Sequence, residues 1–261
     1  MIETWTQAVR RRAELGRLLP LGGPHDGTWI TEQAAVRALR RSADEVPGVR
    51  LESLRIGSVP QEPVSEPAVS PPPSALPPGP LRIEAGFSAP LGRPVPDTAG
   101  RLRSTLLDAA AERLGLTAVT ADLRVTDLRD APETGVAPGL RAGVERTAPD
   151  AATEPTAEAE AARPPSGSTA GSVRGSAGDL ADVANRVPGV ARLTAAWGSR
   201  PVKVEDRTDP PGRRVEVHIA VAPGHHPLRV ARAVRAAVAV AAATDAPGPV
   251  TVAVLVTQTA V

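Results

Sequence analysis

Apolar and polar residues follow two different spacings along the chain, which predict helices and strands in a regular order. Apolar side chains at i, i+3, i+4 and i+7 have the period of an amphipathic helix, and strict alternation has the period of a half-buried strand. In the first half the order is helix, strand, strand, helix, strand. These elements are predicted at 31–46, 49–56, 81–87, 96–114 and 119–125.

Local signals mark where these elements begin and end. Thr31 is suited to cap the first helix, and Pro47-Gly48 is suited to end it. Gly115 is placed to end the second helix, since glycine adopts the left-handed conformation at low cost. The alternation of the first strand breaks between Leu51 and Leu54, which predicts a β-bulge.

The second half repeats the same order of elements. The motif Val-Pro-Gly-Val ends a helix in both halves, at 46–49 and at 187–190. A matched motif in a matched order predicts an internal duplication, and the alternative is coincidence in a chain rich in alanine and valine. The elements of the second half are predicted at 180–187, 190–197, 202–205, 215–221, 227–243 and 250–256.

This order predicts an α+β fold of two duplicated units, each a two-layer α/β sandwich with its helices on one face of a sheet. Two stretches rich in proline or alanine lack periodicity and are predicted to be disordered spacers. The predicted organisation is a basic amphipathic segment at 1–26, a first copy at 27–128 with a Pro-rich insert at 60–79, a disordered linker at 129–176 and a second copy at 177–261.

Composition narrows the classes of protein that fit this pattern. Aromatic residues make up only 2% of the chain, so the core is predicted to be aliphatic. The net charge of +1 argues against capture of nucleic acid or an anionic membrane by bulk electrostatics. The chain has no cysteine, no apolar signal segment follows Met1, and the longest apolar stretch, 236–243, is too short to span a membrane. We therefore expect a cytoplasmic protein.

Histidine, serine and carboxylate residues do not follow the pattern of a catalytic or metal site. His225 and His226 are adjacent on an extended segment and are expected to point apart, and His218 is expected on the solvent face of its strand. No Gly-x-Ser-x-Gly motif or phosphate-binding glycine loop is present. We therefore expect no enzymatic activity, no cofactor and no bound metal.

Arginine-rich surfaces are the candidate binding sites. Arg229, Arg232 and Arg235 recur every three residues on the predicted 227–243 helix, and Arg37, Arg40 and Arg41 form a similar basic stripe on the first helix. These stripes fit a solvated helix face, an acidic protein partner or nucleic acid. The scarcity of aromatic residues for stacking argues against nucleic acid.

The N-terminal segment is the other candidate binding site, as a short basic amphipathic helix followed by leucines. It fits a helix packed on the protein's own sheet, a segment that docks on a partner, or a segment that lies on a membrane surface. The residues predicted to bind a partner in this segment are Trp5, Arg10, Arg11, Arg12, Leu18 and Leu19.

The helix ending in Val-Pro-Gly-Val, the alternating strand, the long Val/Ala/Arg-rich helix and the closing strand together resemble the alkaline-shock-protein family of bacterial envelope stress response proteins. The resemblance covers 28–58, 80–128 and 178–257. The opening Trp5-Thr6 and the run at 15–23 are similar to actinobacterial proteins of this size. The chain departs from the family's usual single copy, because it has two copies and an insert in the first.

The resemblance implies a non-enzymatic cytoplasmic protein that a small membrane protein holds at the membrane. The hypothesis is a scaffold or adaptor for the envelope stress response, whose partners are itself, single-copy relatives or a small membrane protein. The alternative is a nucleic-acid-binding regulator that uses the arginine-rich helix faces.

Overall fold

The computed structural model describes residues 16–59, 67–130, 176–195 and 200–259, and these form a mixed α+β fold with four helices and two sheets. The described residues all belong to one compact unit. The elements of the first half are β1 (Leu18–Pro20), β2 (Thr28–Thr31), α1 (Glu32–Asp44), β3 (Arg50–Ser58), β4 (Leu81–Pro90), α2 (Val95–Asp108), a π-helical turn (Ala109–Leu114) and β5 (Ala118–Arg129).

The second half contains the remaining elements, which follow the order predicted from its periodicity. They are α3 (Ala177–Asn185), β6 (Val190–Leu193), β7 (Val202–Thr208), β8 (Pro211–Val221), α4 (Pro227–Ala242) and β9 (Val250–Thr259).

The predicted start and stop signals act where they were expected. The Thr31 side chain accepts a hydrogen bond from the Ala34 N–H group at 3.3 Å and caps α1. Gly48 and Gly189 follow α1 and α3 with φ of 79° and 91°, a left-handed conformation that suits glycine. The register of β3 against β4 shifts between Leu51 and Ser53, which confirms the predicted bulge.

The two halves share one pattern of strand pairing. In the first half β3 is antiparallel to β4, and β4 is parallel to β5, with α2 between them in the chain. In the second half β6 and β7 are antiparallel to β8, and β8 is parallel to β9, with α4 between them. This correspondence supports the proposed duplication.

Two short strands that the periodicity did not predict extend the sheet of the second half. β2 pairs in parallel with β9, and β1 pairs antiparallel with β2, so the order is β1-β2-β9-β8. The expected boundary between 26 and 27 therefore falls inside the turn between β1 and β2, and both strands belong to the sheet of the second half.

Apolar side chains from both sheets and from all four helices form one continuous core. Phe87 on β4 is fully buried, as are Ile219 on β8 and Val254 on β9. The core is otherwise built from alanine, valine, leucine and isoleucine, as the composition predicted.

A second, smaller core lies on the opposite face of the larger sheet. Leu18, Trp29 and Leu255 pack there against Val69, which belongs to the Pro-rich insert. The Leu76 N–H group donates to the Leu18 carbonyl at 2.8 Å. The prediction of disorder for the whole 60–79 insert is thus wrong for 67–79, because Val69 is buried against this face of the sheet. The rest of the insert and the predicted 129–176 linker lie almost entirely outside the described residues.

Candidate partner-binding surfaces

The predicted binding residues of the N-terminal segment divide into two groups. Trp5 and the three arginines at 10–12 lie outside the described residues. Leu18 and Leu19 form β1 and are fully buried, one in each core. The prediction that these two leucines contact a partner is therefore wrong for this fold, since pairing with β2 turns both side chains into the protein's own interior.

Arg232 of the predicted basic stripe forms an ion pair within the chain. Its Nε and Nη2 atoms donate to the two carboxylate oxygens of Asp26 at 2.7 and 2.8 Å. Asp26 also accepts a hydrogen bond from the Gly23 N–H group at 2.7 Å. The hydrogen bond from Arg232 is the main cause that holds the pKa of Asp26 below its ordinary value. This pair ties α4 to the turn between β1 and β2.

We predict that Asp26→Asn lowers the free energy of unfolding by about 1 kcal/mol at pH 7, a modest value because Arg232 is 54% exposed and solvent screens the pair. Since the folded-state pKa lies below 3.8, the carboxylate stabilises the fold above that pH, and its contribution is lost as the pH falls through the folded value. Urea denaturation of both proteins between pH 7 and pH 2 measures this difference.

The exposed Asp182 on α3 offers a matched control, and Asp182→Asn is expected to change stability by less than about 0.5 kcal/mol. A difference between wild type and Asp26→Asn that stays constant down to pH 2 would contradict the assigned ion pair.

The other two arginines of the stripe differ in exposure. Arg235 is half-buried beside Gly27. A Cβ atom added at Gly27 would lie 3.2 Å from the Arg235 Nε atom. Arg229 is exposed, and its charge contributes to a lowered pKa of His226, whose main cause is burial. Of the three residues, Arg229 therefore presents the most accessible charge to a partner.

The arginines of α1 also have distinct roles. Arg40 donates to the backbone carbonyls of Leu51 and Glu52 on β3, at 3.1 and 3.3 Å. Arg37 and Arg41 line a cavity of about 280 Å³ together with Arg192 from β6. This cavity is the place where the described structure gathers positive charge from both halves.

The histidines do not converge on one point. His218 is buried, and its Nε2 atom lies 2.7 Å from a carboxylate oxygen of Glu216, so the expected solvent-facing position is wrong. It lies beside Leu255 on the covered face of the larger sheet. The hydrogen bond with His218 is the main cause that lowers the pKa of Glu216.

His225 and His226 point apart, as their adjacency predicted. The His225 ring lies beside Gly189, and the His226 ring lies beside Gly115. A Cβ atom added at either glycine would contact the neighbouring ring. Within the described ranges, no three histidine or carboxylate side chains come together in a way that could hold a metal ion.

A groove on the outer face of the smaller sheet was not anticipated from the sequence. It has a volume of about 540 Å³ and is lined by residues of β3, β4 and β5, most of them polar. Ser53 accepts a hydrogen bond from the Gly86 N–H group at 3.1 Å, and a side chain at Gly86 would clash with the Ser53 hydroxyl. The charged residues of the groove are Arg55, Glu84, Asp122 and Arg124. Alternation in these strands indicates an outward polar face, although not that the described part of the chain leaves this face uncovered.

Comparison with known proteins does not assign the chain to a group. No protein-family model matches it, and neither a curated protein nor a solved structure shows significant similarity. None of the helices among the described residues has the length and apolar character needed to cross a bilayer.

Proposed function

We propose that the chain is a non-enzymatic scaffold or adaptor related to the bacterial envelope stress response, which acts through protein–protein contacts near the membrane. The observation that supports this best is the pairing pattern common to both halves, antiparallel and then parallel across a helix. That pattern follows the element order on which the resemblance to the alkaline-shock-protein family rests.

The proposed contact with a membrane-protein partner uses the N-terminal segment. Leu18 and Leu19 hold β1 in the fold, so the contact is assigned to Trp5 and to the arginines at 10–12. An aromatic residue and three arginines within one short segment suit a partner with an apolar groove and an acidic rim. Localisation at the membrane through this partner, with the chain itself cytoplasmic, is part of the proposal.

Affinity purification of the tagged full chain from membranes of its host, followed by mass spectrometry, tests the proposal. We expect one small membrane protein to co-purify, and we expect its recovery to fall at least tenfold in a variant with Trp5, Arg10, Arg11 and Arg12 replaced by alanine. A matched variant with the exposed Arg55, Arg101 and Arg207 replaced by alanine is expected to keep the partner. Equal recovery from both variants would contradict the assignment.

The alternative, a nucleic-acid-binding regulator, draws less support from the arginines. Arg40 is bonded to carbonyls of β3 and Arg232 to Asp26, so two residues of the proposed basic faces serve the fold itself. Retention of RNA or DNA on filters at physiological ionic strength would favour this alternative over the scaffold.

A further inference from the structure

β5 is an edge strand with an unusual concentration of exposed apolar side chains. Within the described residues no other strand pairs with the side of β5 that faces away from β4. Val119, Val125 and Leu128 on β5 are between 37% and 53% exposed, and the neighbouring Leu91 is 48% exposed. Together they are four of the five large apolar side chains found exposed in the described part of the chain. A long, apolar, open edge is a template for another strand.

The other edge of the same sheet is protected by more arginine hydrogen bonds than the edge of β5. On β3, Arg40 donates hydrogen bonds to the carbonyls of Leu51 and Glu52, and Arg17 donates one to the carbonyl of Ile56 at 2.8 Å. On β5, Arg103 donates a hydrogen bond to the carbonyl of Ala121 at 3.0 Å. In the described structure, no side chain from another element forms a hydrogen bond with the backbone of residues 122–126. The two edges therefore differ in how readily they accept a strand.

The corresponding edge in the second half is occupied. β9 has the same place after α4 that β5 has after α2, and the edge of β9 pairs with β2 over 28–30. In the second half this position thus accepts an added strand, in parallel orientation. In the first half the corresponding edge, that of β5, has no added strand among the described residues.

The sequence of β5 is complementary to itself. Asp122, Arg124 and Thr126 alternate along β5 and therefore share one face of the strand, and all three line the outer groove. In an antiparallel pair of β5 strands centred on Leu123, Asp122 of each copy lies opposite Arg124 of the other. The same register places Thr120 opposite Thr126, and Ala121 opposite Val125. Opposite charges and paired threonines across strands are stabilising combinations.

We propose that two copies of this chain associate through antiparallel pairing of their β5 strands, which joins their smaller sheets into one sheet across a twofold axis. The interface is isologous, so it closes at the dimer. This inference deepens the proposed scaffold role by naming one partner and one surface. It is tested on the purified chain alone, so its failure is distinguishable from failure to recover a membrane partner.

Sedimentation velocity of the full chain over a range of concentrations tests the proposal. Wild type is expected to form dimers, and Asp122→Arg or Arg124→Asp alone is expected to raise the dimer Kd about tenfold or more, because each change sets two like-charged pairs opposite one another. The double variant Asp122→Arg, Arg124→Asp restores opposite charges across the interface but removes the ion pair of Asp122 with Arg82 at 3.4 Å, so it is expected to recover most of the affinity lost in the single variants.

Mixing the two single variants provides a second test that does not depend on one variant's stability. In the mixed dimer every arginine at these positions faces an aspartate of the other chain, so a heterodimer is expected from two chains that associate weakly alone. Val125→Lys places a cation in the apolar part of the interface and is expected to weaken the dimer. Val240→Lys is the matched control, since Val240 is an exposed valine on α4.

Three results would each overturn the proposal. They are a monomeric wild-type chain at high micromolar concentration, a dimer that the double variant fails to restore, and assembly beyond the dimer. Circular dichroism of each variant checks that the fold is retained.

Discussion

Phe87→Ala is expected to lower the free energy of unfolding by about 3–5 kcal/mol, which is a large part of the total stability of a typical domain. Phe87 is the only phenylalanine in the chain, and it is fully buried on β4 between Leu51 of β3 and Val125 of β5. Its neighbours are short aliphatic side chains that cannot expand to fill the vacated volume. Urea denaturation followed by circular dichroism measures the loss.

Val240→Ala provides the control for this substitution. Val240 is 76% exposed on α4, so its truncation is expected to change stability by less than about 0.5 kcal/mol. A loss below about 1 kcal/mol for Phe87→Ala would show that the smaller sheet is not packed as described.

Gly115→Ala is expected to destabilise the fold by about 1–3 kcal/mol more than Gly92→Ala. Both glycines are left-handed, with φ of 84° and 86°, so alanine pays a similar backbone cost at each position. At Gly115 the new methyl group would lie 2.7 Å from the Leu228 Cβ atom and 2.9 Å from the His226 ring, whereas at Gly92 it meets open space. The difference isolates the contact between the end of the π-helical turn and the start of α4.

Thermal and urea denaturation of the two variants measure this difference. Equal destabilisation by both substitutions would mean that Leu228 and His226 do not pack against Gly115, and hence that the two halves meet differently.

The helices and long strands were predictable because their signals are local. The cap at Thr31, the Pro-Gly stop after α1 and the bulge after Leu51 each depend on a few neighbouring residues. The alternation of β4 and β8 likewise reports which side chains share a face. The fold keeps these local structures, because the packing of the core favours the same helices and strands.

The features that were missed depend on contacts between distant parts of the chain. The alternation predicts a solvent-facing His218, because it separates the two faces of a strand without indicating what covers each face. The composition of the Pro-rich segment at 67–79 predicts disorder, because it does not reveal that Val69 packs on an apolar surface formed by Trp29 and Leu255. β1 and β2 are too short for a periodic signal, although the run at 28–31 between Gly27 and α1 is rich in β-forming residues.

The candidate binding surfaces were predictable only in part. The arginine stripe on α4 was recognised, but its pairing with Asp26 depends on a turn that lies 206 residues earlier in the chain. The sequence does not predict that β5 is an edge strand, because the alternation within one strand does not indicate the order of strands in the sheet. Self-complementarity of its charges becomes meaningful only once that edge is known to be open.

The pairing of β2 with β9 has a consequence for how the protein is made. The Thr31 hydroxyl donates a hydrogen bond to the backbone carbonyl of Thr257 at 3.2 Å, and the two residues are 226 positions apart in the chain. At about 5–20 residues per second, the ribosome needs roughly 10–45 s to synthesise that interval. During this time Trp29 and Ile30 lack β9, the strand with which they pair, so the larger sheet can be completed only after nearly the whole chain has been synthesised.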